Sequence, residues 1–391
     1  MEIFIRGGNI VDARGIRPNP GLKLSNGLIS YQDNNLQDGF KVIDASDFYI
    51  LPGFIDVHTH GGGGFDLHTT DSQEIISYCK WAPSTGVTSF LIGVVGIPHG
   101  IPIAQIQAAV NAIESHQEGA EPLGIHLEGP YISPEKRGAH DTSWLRTPDI
   151  DETNSILQAS KGHLRLVTIA PELPNARNMI SLLIDNGVRV SIGHTNSTYE
   201  QALEAIGWGI THATHCFNAM PPLHHREPGT LGAIAESPQV MGEVIADGVH
   251  VHPAVVKILV KALGPDRTIV ITDALSAAGC PSMEFTFGGQ KARVIDGAAR
   301  LEDGRLTGSV LTMDQALRNM VEKVEVELPD AVRMLTLNPA ISASAESRKG
   351  LIESGYDADL VLMNQNLQLV ATICKGKIAY AIEGFSTKEI T

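Results

Sequence analysis

Apolar runs bounded by turn residues recur through the middle of the chain, ending near His60, Val95, Glu128, Ala170, His194, His215, Val249 and Asp273. Unbroken apolar runs of this kind suit parallel strands buried on both faces. Between most of them the apolar positions shift to a helical spacing, at Asp71–Thr85, Ile103–His116, Asn175–Asn186, Thr198–Ile206 and Pro253–Ala262. Eight such alternations in a right-handed winding predict an α/β fold, a (β/α)8 TIM-like barrel. After the eighth run, Met313–Val324 and Ala331–Asn338 read as helices.

The two ends of the chain have a different texture. Ile3–Ile5, Gly8–Val11, Gly21–Leu24, Gly27–Tyr31 and Lys41–Ile43 are short alternating segments punctuated by Gly, Asn and Asp, as are Ala358–Met363, Gln368–Ile373 and Lys377–Ile382. That pattern suits antiparallel strands. It predicts one small β-sandwich domain built from residues 1–50 plus 345–391, flanking a catalytic barrel over 51–344.

Composition narrows the function classes. A chain of 391 residues exceeds the usual single core, in keeping with two domains. Its net charge of −15 argues against nucleic acid or an anionic membrane as partner. An anionic substrate would therefore need a local positive group. Met1–Val11 lacks a signal-peptide pattern, and no apolar run reaches membrane-spanning length. Cys79, Cys216, Cys280 and Cys374 are scattered without a CxxC, which suits a reduced, cytoplasmic protein without disulfides.

The chemistry sits where the runs end. His58 and His60 lie two apart, which on a strand puts both on one face with Asp56. The following Gly61–Gly64 is not a phosphate loop, because no Lys-Ser/Thr follows. Glu128 closes an apolar run, where a carboxylate is costly unless it is paired or binds a metal. His194 and His215 end the fifth and sixth runs. Imidazoles converging beside a carboxylate suit Zn²⁺ or Fe²⁺. Asp273 ends the eighth run, as a further ligand or as a carboxylate that moves protons beside a metal-bound water. His126, His212 and Cys216 read as core residues.

These residues stand within longer strings: PGFIDVHTHG at Pro52–Gly61, HLEGPYISPEKRGAH at His126–His140, GHTN at Gly193–Asn196, THCFNAMPPLHHREPG at Thr214–Gly229, ADGVHVHP at Ala246–Pro253 and Thr272-Asp273-Ala274. Across essentially its whole length the chain resembles the amidohydrolase superfamily, and within it a group that deacetylates phosphorylated N-acetylhexosamines. Many related amidohydrolases use a carbamylated lysine on the fourth strand; Leu166–Pro171 has none, and Glu128 supplies the carboxylate instead.

The resemblance implies hydrolysis of the acetamide of N-acetyl-D-glucosamine 6-phosphate to the amine and acetate. Glu128, His194 and His215 would form the main metal site. Both first-strand histidines are kept, so His58 and His60 would hold a second ion with Glu128 bridging, giving one or two divalent ions, Zn or Fe. Asp273 would be general base and acid, and His140 would polarise the acetyl carbonyl. His250 and Ala139 would touch the substrate. Asn218, Ala219, His225 and Arg226 would hold its phosphate, with Arg226 reaching in from the neighbouring subunit of a homodimer. His224 is left without a settled role. Other substrates kept open are the galactosamine epimer and those of a D-aminoacylase or nucleobase deaminase. A scaffold that has lost catalysis is disfavoured, since every expected metal position keeps a competent side chain.

Overall fold

A computed structural model describes residues 2–31, 40–280 and 284–389. Eight strands form one sheet in chain order: β1 (Phe54–Asp56), β2 (Val87–Val95), β3 (Glu121–Glu128), β4 (Leu164–Ile169), β5 (Arg189–Ile192), β6 (His212–Ala213), β7 (Met241–Ile245) and β8 (Thr268–Ile271). Every neighbouring pair is parallel. Every residue of β2 is buried, because helices cover one face of the sheet and the barrel interior covers the other. The seam between β8 and β1 closes just past the strand ends: Asp273 N–H donates to His58 O at 2.8 Å and His60 N–H to Ala274 O at 2.7 Å. Asp56 completes the seam, accepting from Thr272 Oγ1 at 2.5 Å and from its N–H at 3.4 Å. The TIM-like barrel expected from the sequence is present.

Four details differ from the sequence reading. β1 stops at Asp56, so His58 and His60 follow the strand rather than lie on it, and Asp56 turns to the Thr272 seam instead of joining them. β7 stops at Ile245, not near Val249, because Asp247 Oδ1 accepts the Val249 and His250 N–H groups at 2.8 Å each and turns the chain. Helices at Ile150–Ser160 and Gly229–Glu236 fill the remaining gaps between strands. The first is polar over most of its length and the second contains Gly232, so neither shows a clean apolar stripe.

The fourth difference is a small antiparallel sheet of Glu284–Phe287, Gln290–Ile295 and Ala298–Leu301, inserted after β8. Its turns, Gly288-Gly289 and Asp296-Gly297, have positive φ at both positions (54° and 83°, then 50° and 74°). Such two-residue turns match the twist of a hairpin.

The termini pair as expected. A five-stranded sheet holds Glu2–Arg6, Leu22–Ser25, Leu28–Tyr31, Phe40–Asp44 and Lys388–Glu389. A six-stranded sheet holds Asn9–Asp12, Gly15–Pro18, Phe48–Pro52, Leu360–Asn364, Leu369–Cys374 and Lys377–Ala381. Ile3, Ile5, Leu22 and Leu24 meet Ile10, Ile50, Leu360 and Leu362 in one core, while Phe4 turns to the opposite face to meet Phe40 and Val42. That alternation is the period of two made visible.

Barrel and sandwich are joined by charge as well as by chain. Lys349, 3% exposed, donates to Asp359, to Asp357 at 2.8 Å and to Glu121 of β3 at 2.9 Å. Its partners carry the lysine well above its usual pKa against the opposing effect of burial. Lys349→Met should destabilise the fold by about 3–5 kcal/mol, since it leaves the buried Asp359 carboxylate without its cation, while Glu121 and Asp357 keep Arg348. Urea unfolding measures this; an unchanged midpoint would refute the pairing as a source of stability.

Candidate metal centre

The ligand-type residues all leave the carboxyl ends of the barrel strands, where parallel barrels place their chemistry. His194, His215 and Asp273 sit immediately beyond β5, β6 and β8 with φ of 48°, 27° and 49°. Non-glycine residues adopt this left-handed conformation at a cost of order 1–3 kcal/mol, and such strain gathers at functional sites. Each turn aims its side chain into the barrel mouth. Gly93 of β2 makes room on the other side: a Cβ there would lie 2.2 Å from Thr59 O and 2.7 Å from His60 Nδ1.

Glu128, 3% exposed, is the hub. Its Oε1 lies 3.0 Å from His194 Nε2, 3.1 Å from His215 Nε2 and 3.4 Å from His58 Nε2. Its Oε2 lies 3.2 Å from His60 Nε2 and 3.5 Å from His140 Nε2. Asp273 Oδ1 stands 3.4 Å from His60 Nε2 and 3.6 Å from His58 Nε2. Two donor sets result: Glu128, His194 and His215, and beside them His58, His60 and Asp273, the donor atoms of each lying within 4.8 Å of one another.

Hydrogen-bond chemistry tests whether these sets fit a cation. His194 Nδ1 lies 2.8 Å from the carbonyl oxygen of Lys136, which can only accept, so Nδ1 carries the proton. In the neutral ring Nε2 is then a bare lone pair, 3.0 Å from His215 Nε2 and from Glu128 Oε1. His58 repeats the arrangement, its Nδ1 donating to Glu243 Oε2 at 2.9 Å while Nε2 has no hydrogen-bond partner. Lone pairs converging at such distances repel unless a cation or extra protons lie between them. A tetrahedral ion about 2.0–2.1 Å from each donor spaces donors roughly 3.3–3.4 Å apart, close to the separations found. The residues fit a divalent cation.

Charge in the site tells the same story. Burial pushes the Glu128 carboxyl up, but His58 and the adjoining imidazoles of His140, His194 and His215 hold it well below its usual range. Burial pushes His58 down, yet Glu128, Glu243 and Asp273 carry it well above its ordinary value. His60, opposed by burial in the same way, reaches about 9 through Asp273 and Glu128. The carboxylates thus demand positive charge, which protons supply when no ion is bound. His126 donates or accepts at Thr168 Oγ1 (2.9 Å), stacks edge-on with His58, and is held neutral by burial and by neighbouring imidazoles.

A cleft of about 200 Å³ opens over these groups, lined by His60, Glu128, His140, Asp273, Asn218 and His250 among others. It is smaller than the ~300–1,000 Å³ typical of drug-sized ligand sites, and so suits a compact ligand. Ala139 and Ala219 also line it. His250 donates from Nδ1 to Asp247 Oδ2 at 2.7 Å; burial lowers its pKa, but Asp247 raises it further, favouring the charged ring. His140 is buried, and burial holds its pKa down, leaving a neutral imidazole whose Nδ1 has no hydrogen-bond partner among the described residues. His224, His225 and Arg226 are not brought to this cleft. They lie exposed on the loop after β6, with Arg226 Nη1 donating to His225 Nε2 at 2.7 Å.

Among the residues of the site that went unread in the sequence, two stand out. Glu243 of β7, fully buried, accepts from His58 Nδ1 and from His215 N–H at 3.2 Å, and so orients both donor sets. Its signal was a single carboxylate inside the apolar run Met241–Ile245. Phe287 lines the cleft from the inserted sheet, which no apolar run announced.

Comparison with known proteins follows the same lines. The chain matches the amidohydrolase family over residues 49–379. It is 37% identical to the N-acetylglucosamine-6-phosphate deacetylase of Bacillus subtilis (strain 168), covering 86% of this chain and 85% of that one. It is 34% identical to the N-acetylgalactosamine-6-phosphate deacetylase of Escherichia coli O157:H7, covering 84% and 87%. Among solved structures, a Mycobacterium smegmatis N-acetyl-D-glucosamine-6-phosphate deacetylase mutant in complex with N-acetyl-D-glucosamine-6-phosphate is 31% identical, with a TM-score of 0.89 over 97% of this chain and 99% of that one.

Proposed function

The chain belongs to the amidohydrolase family, and from that premise we propose that it hydrolyses the acetamide of N-acetyl-D-glucosamine 6-phosphate, releasing acetate and D-glucosamine 6-phosphate. The observation that carries this reading is the meeting of two metal-type donor sets on Glu128, beneath a cleft that also presents Asp273 and His140. Glu128, His194 and His215 would hold one divalent ion, and His58, His60 and Asp273 would offer donors for a second, with Glu128 within reach of both sets. The imidazole–carboxylate set suits Zn²⁺ or Fe²⁺.

Water is a poor nucleophile and an amine a poor leaving group, and the residues answer both difficulties. A bound divalent ion supplies a water of lowered pKa and polarises the acyl oxygen. Asp273 accepts the proton of the attacking water, and the same carboxyl then protonates the sugar nitrogen as the C–N bond breaks. Its pKa, raised by burial but lowered more by His58 and His60, keeps it ionised and ready to accept. His140 donates to the acetyl oxygen as charge develops there; one such donor lowers the barrier by about 3–4 kcal/mol. His250, Asn218 and Ala219 bind the sugar and its phosphate, and Ala139 adds a contact beside His140.

Among the described residues, the cleft lining contains no Lys or Arg, although a sugar phosphate is an anion. The exposed Arg226 and its neighbour His225 complete the site of a second copy in a homodimer. The planar guanidinium matches phosphate oxygens in a way that Lys does not. Losing a charge-assisted hydrogen bond costs roughly 1.5–3 kcal/mol. Arg226→Ala should therefore raise KM for the phosphorylated substrate about 10- to 100-fold, while hydrolysis of unphosphorylated N-acetylglucosamine stays unchanged. Equal losses on both substrates would remove the phosphate role. Steady-state kinetics on the glucosamine and galactosamine 6-phosphate derivatives test the whole reading: acetate from neither would overturn it, and acetate from the galactosamine derivative alone would move the substrate to that epimer.

A further inference from the structure

The cleft lining is of two kinds: Asn218 and His250 are polar members of it, while Phe287, Leu275 and Leu306 are apolar, and Ala139 beside His140 is small. Phe287 belongs to the inserted sheet, and its ring sits edge-on to His60 at 5.7 Å and to Trp144 at 6.0 Å. His140 also packs edge-on to the same Trp144, at 5.7 Å. His140 and Phe287 thus meet the same indole, so an acyl carbonyl held by His140 lies on the side of the cleft that Phe287 walls.

We infer that Phe287 is a specificity-determining residue: it closes the acyl end of the cleft and restricts the substrate to short acyl groups. This inference rests on the deacetylase reading of the same site. The wall is fixed rather than yielding. Phe287 is 4% exposed and shares a cluster with Val95, Trp144, Leu275, Phe285 and Leu301. The turn behind it is pressed flat on Trp144: a Cβ at Gly288 would fall 2.1 Å from that indole. Gln290 Nε2 donates to Ala139 O at 2.8 Å, and Arg305 Nη1 to Gly138 O at 2.7 Å, pinning the insertion to the loop that carries His140. An extra methylene has nowhere to go unless the ring moves.

Acetate, propionate and butyrate release from the three N-acyl-glucosamine 6-phosphates by the metal-loaded protein tests this. The wild type should prefer acetyl to propionyl by at least about tenfold in kcat/KM, in the range that one methylene contributes in a tight pocket. In Phe287→Ala the propionyl-to-acetyl ratio should rise about tenfold or more, with butyryl gaining further. Phe287→Leu keeps an apolar side chain in the cluster and should move the ratio the same way by less, which guards against a merely unfolded Ala variant. Acetate release by the wild type with ratios unmoved in the folded variants overturns the inference alone. If the wild type releases no acetate, the deacetylase reading fails and this inference with it.

Discussion

Asp273→Asn will lower kcat on N-acetylglucosamine 6-phosphate by about 10²- to 10⁴-fold, the usual contribution of a positioned proton-transfer group, while the ion at Glu128, His194 and His215 is retained. The amide side chain is nearly the shape of the carboxylate, so the seam bond from Asp273 N–H to His58 O stays and the fold is undisturbed. On the proposed reading, what is lost is the ability to take a proton from water and return it to the amine. The second donor set, of which Asp273 is a member, weakens at the same time. Metal analysis alongside kinetics separates the two consequences. Wild-type turnover in a variant that still binds one ion would remove Asp273 from the proton path.

Glu128→Gln should act on metal before it acts on chemistry. Its two oxygens reach His194, His215, His58 and His60, so one substitution disarms both donor sets at once. Even a residue that only supports a ligand contributes about 10- to 100-fold to metal affinity, and a shared direct ligand should exceed that. A ligand present at a thousandfold excess over its Kd stabilises the native state by about 4 kcal/mol. Zinc should therefore raise the melting temperature of the chelator-treated wild type by several degrees and leave Glu128→Gln unmoved. Equal shifts in both proteins would place the ion elsewhere.

The barrel was legible because its strands are buried on both faces and so become continuous apolar runs, as in Val87–Val95. The residues of the two candidate donor sets stood out because polar residues that close such runs are conspicuous. What the chain hides is conformation and partnership. The left-handed turns at His194, His215 and Asp273 are set by packing around the mouth, not by residue type. His58 and His60 read as strand residues because alternation carries them on in register, yet the strand stops at Asp56, whose carboxylate is claimed by Thr272. Glu243 looked like an isolated acid until the fold placed it 2.9 Å from His58 Nδ1. The inserted sheet escaped because its hairpins bury only alternate residues such as Phe285 and Phe287, too few to form a run.

The central claim is that a divalent ion held on Glu128 serves amide hydrolysis of a phosphorylated amino sugar. The most direct measurement is acetate release from N-acetylglucosamine 6-phosphate by one preparation, followed as its divalent metal is removed and restored. The account expects one acetate for each free amine formed, loss of turnover as the metal is withdrawn, and recovery when Zn²⁺ or Fe²⁺ is added back. Turnover that continues undiminished in the metal-free protein would contradict it.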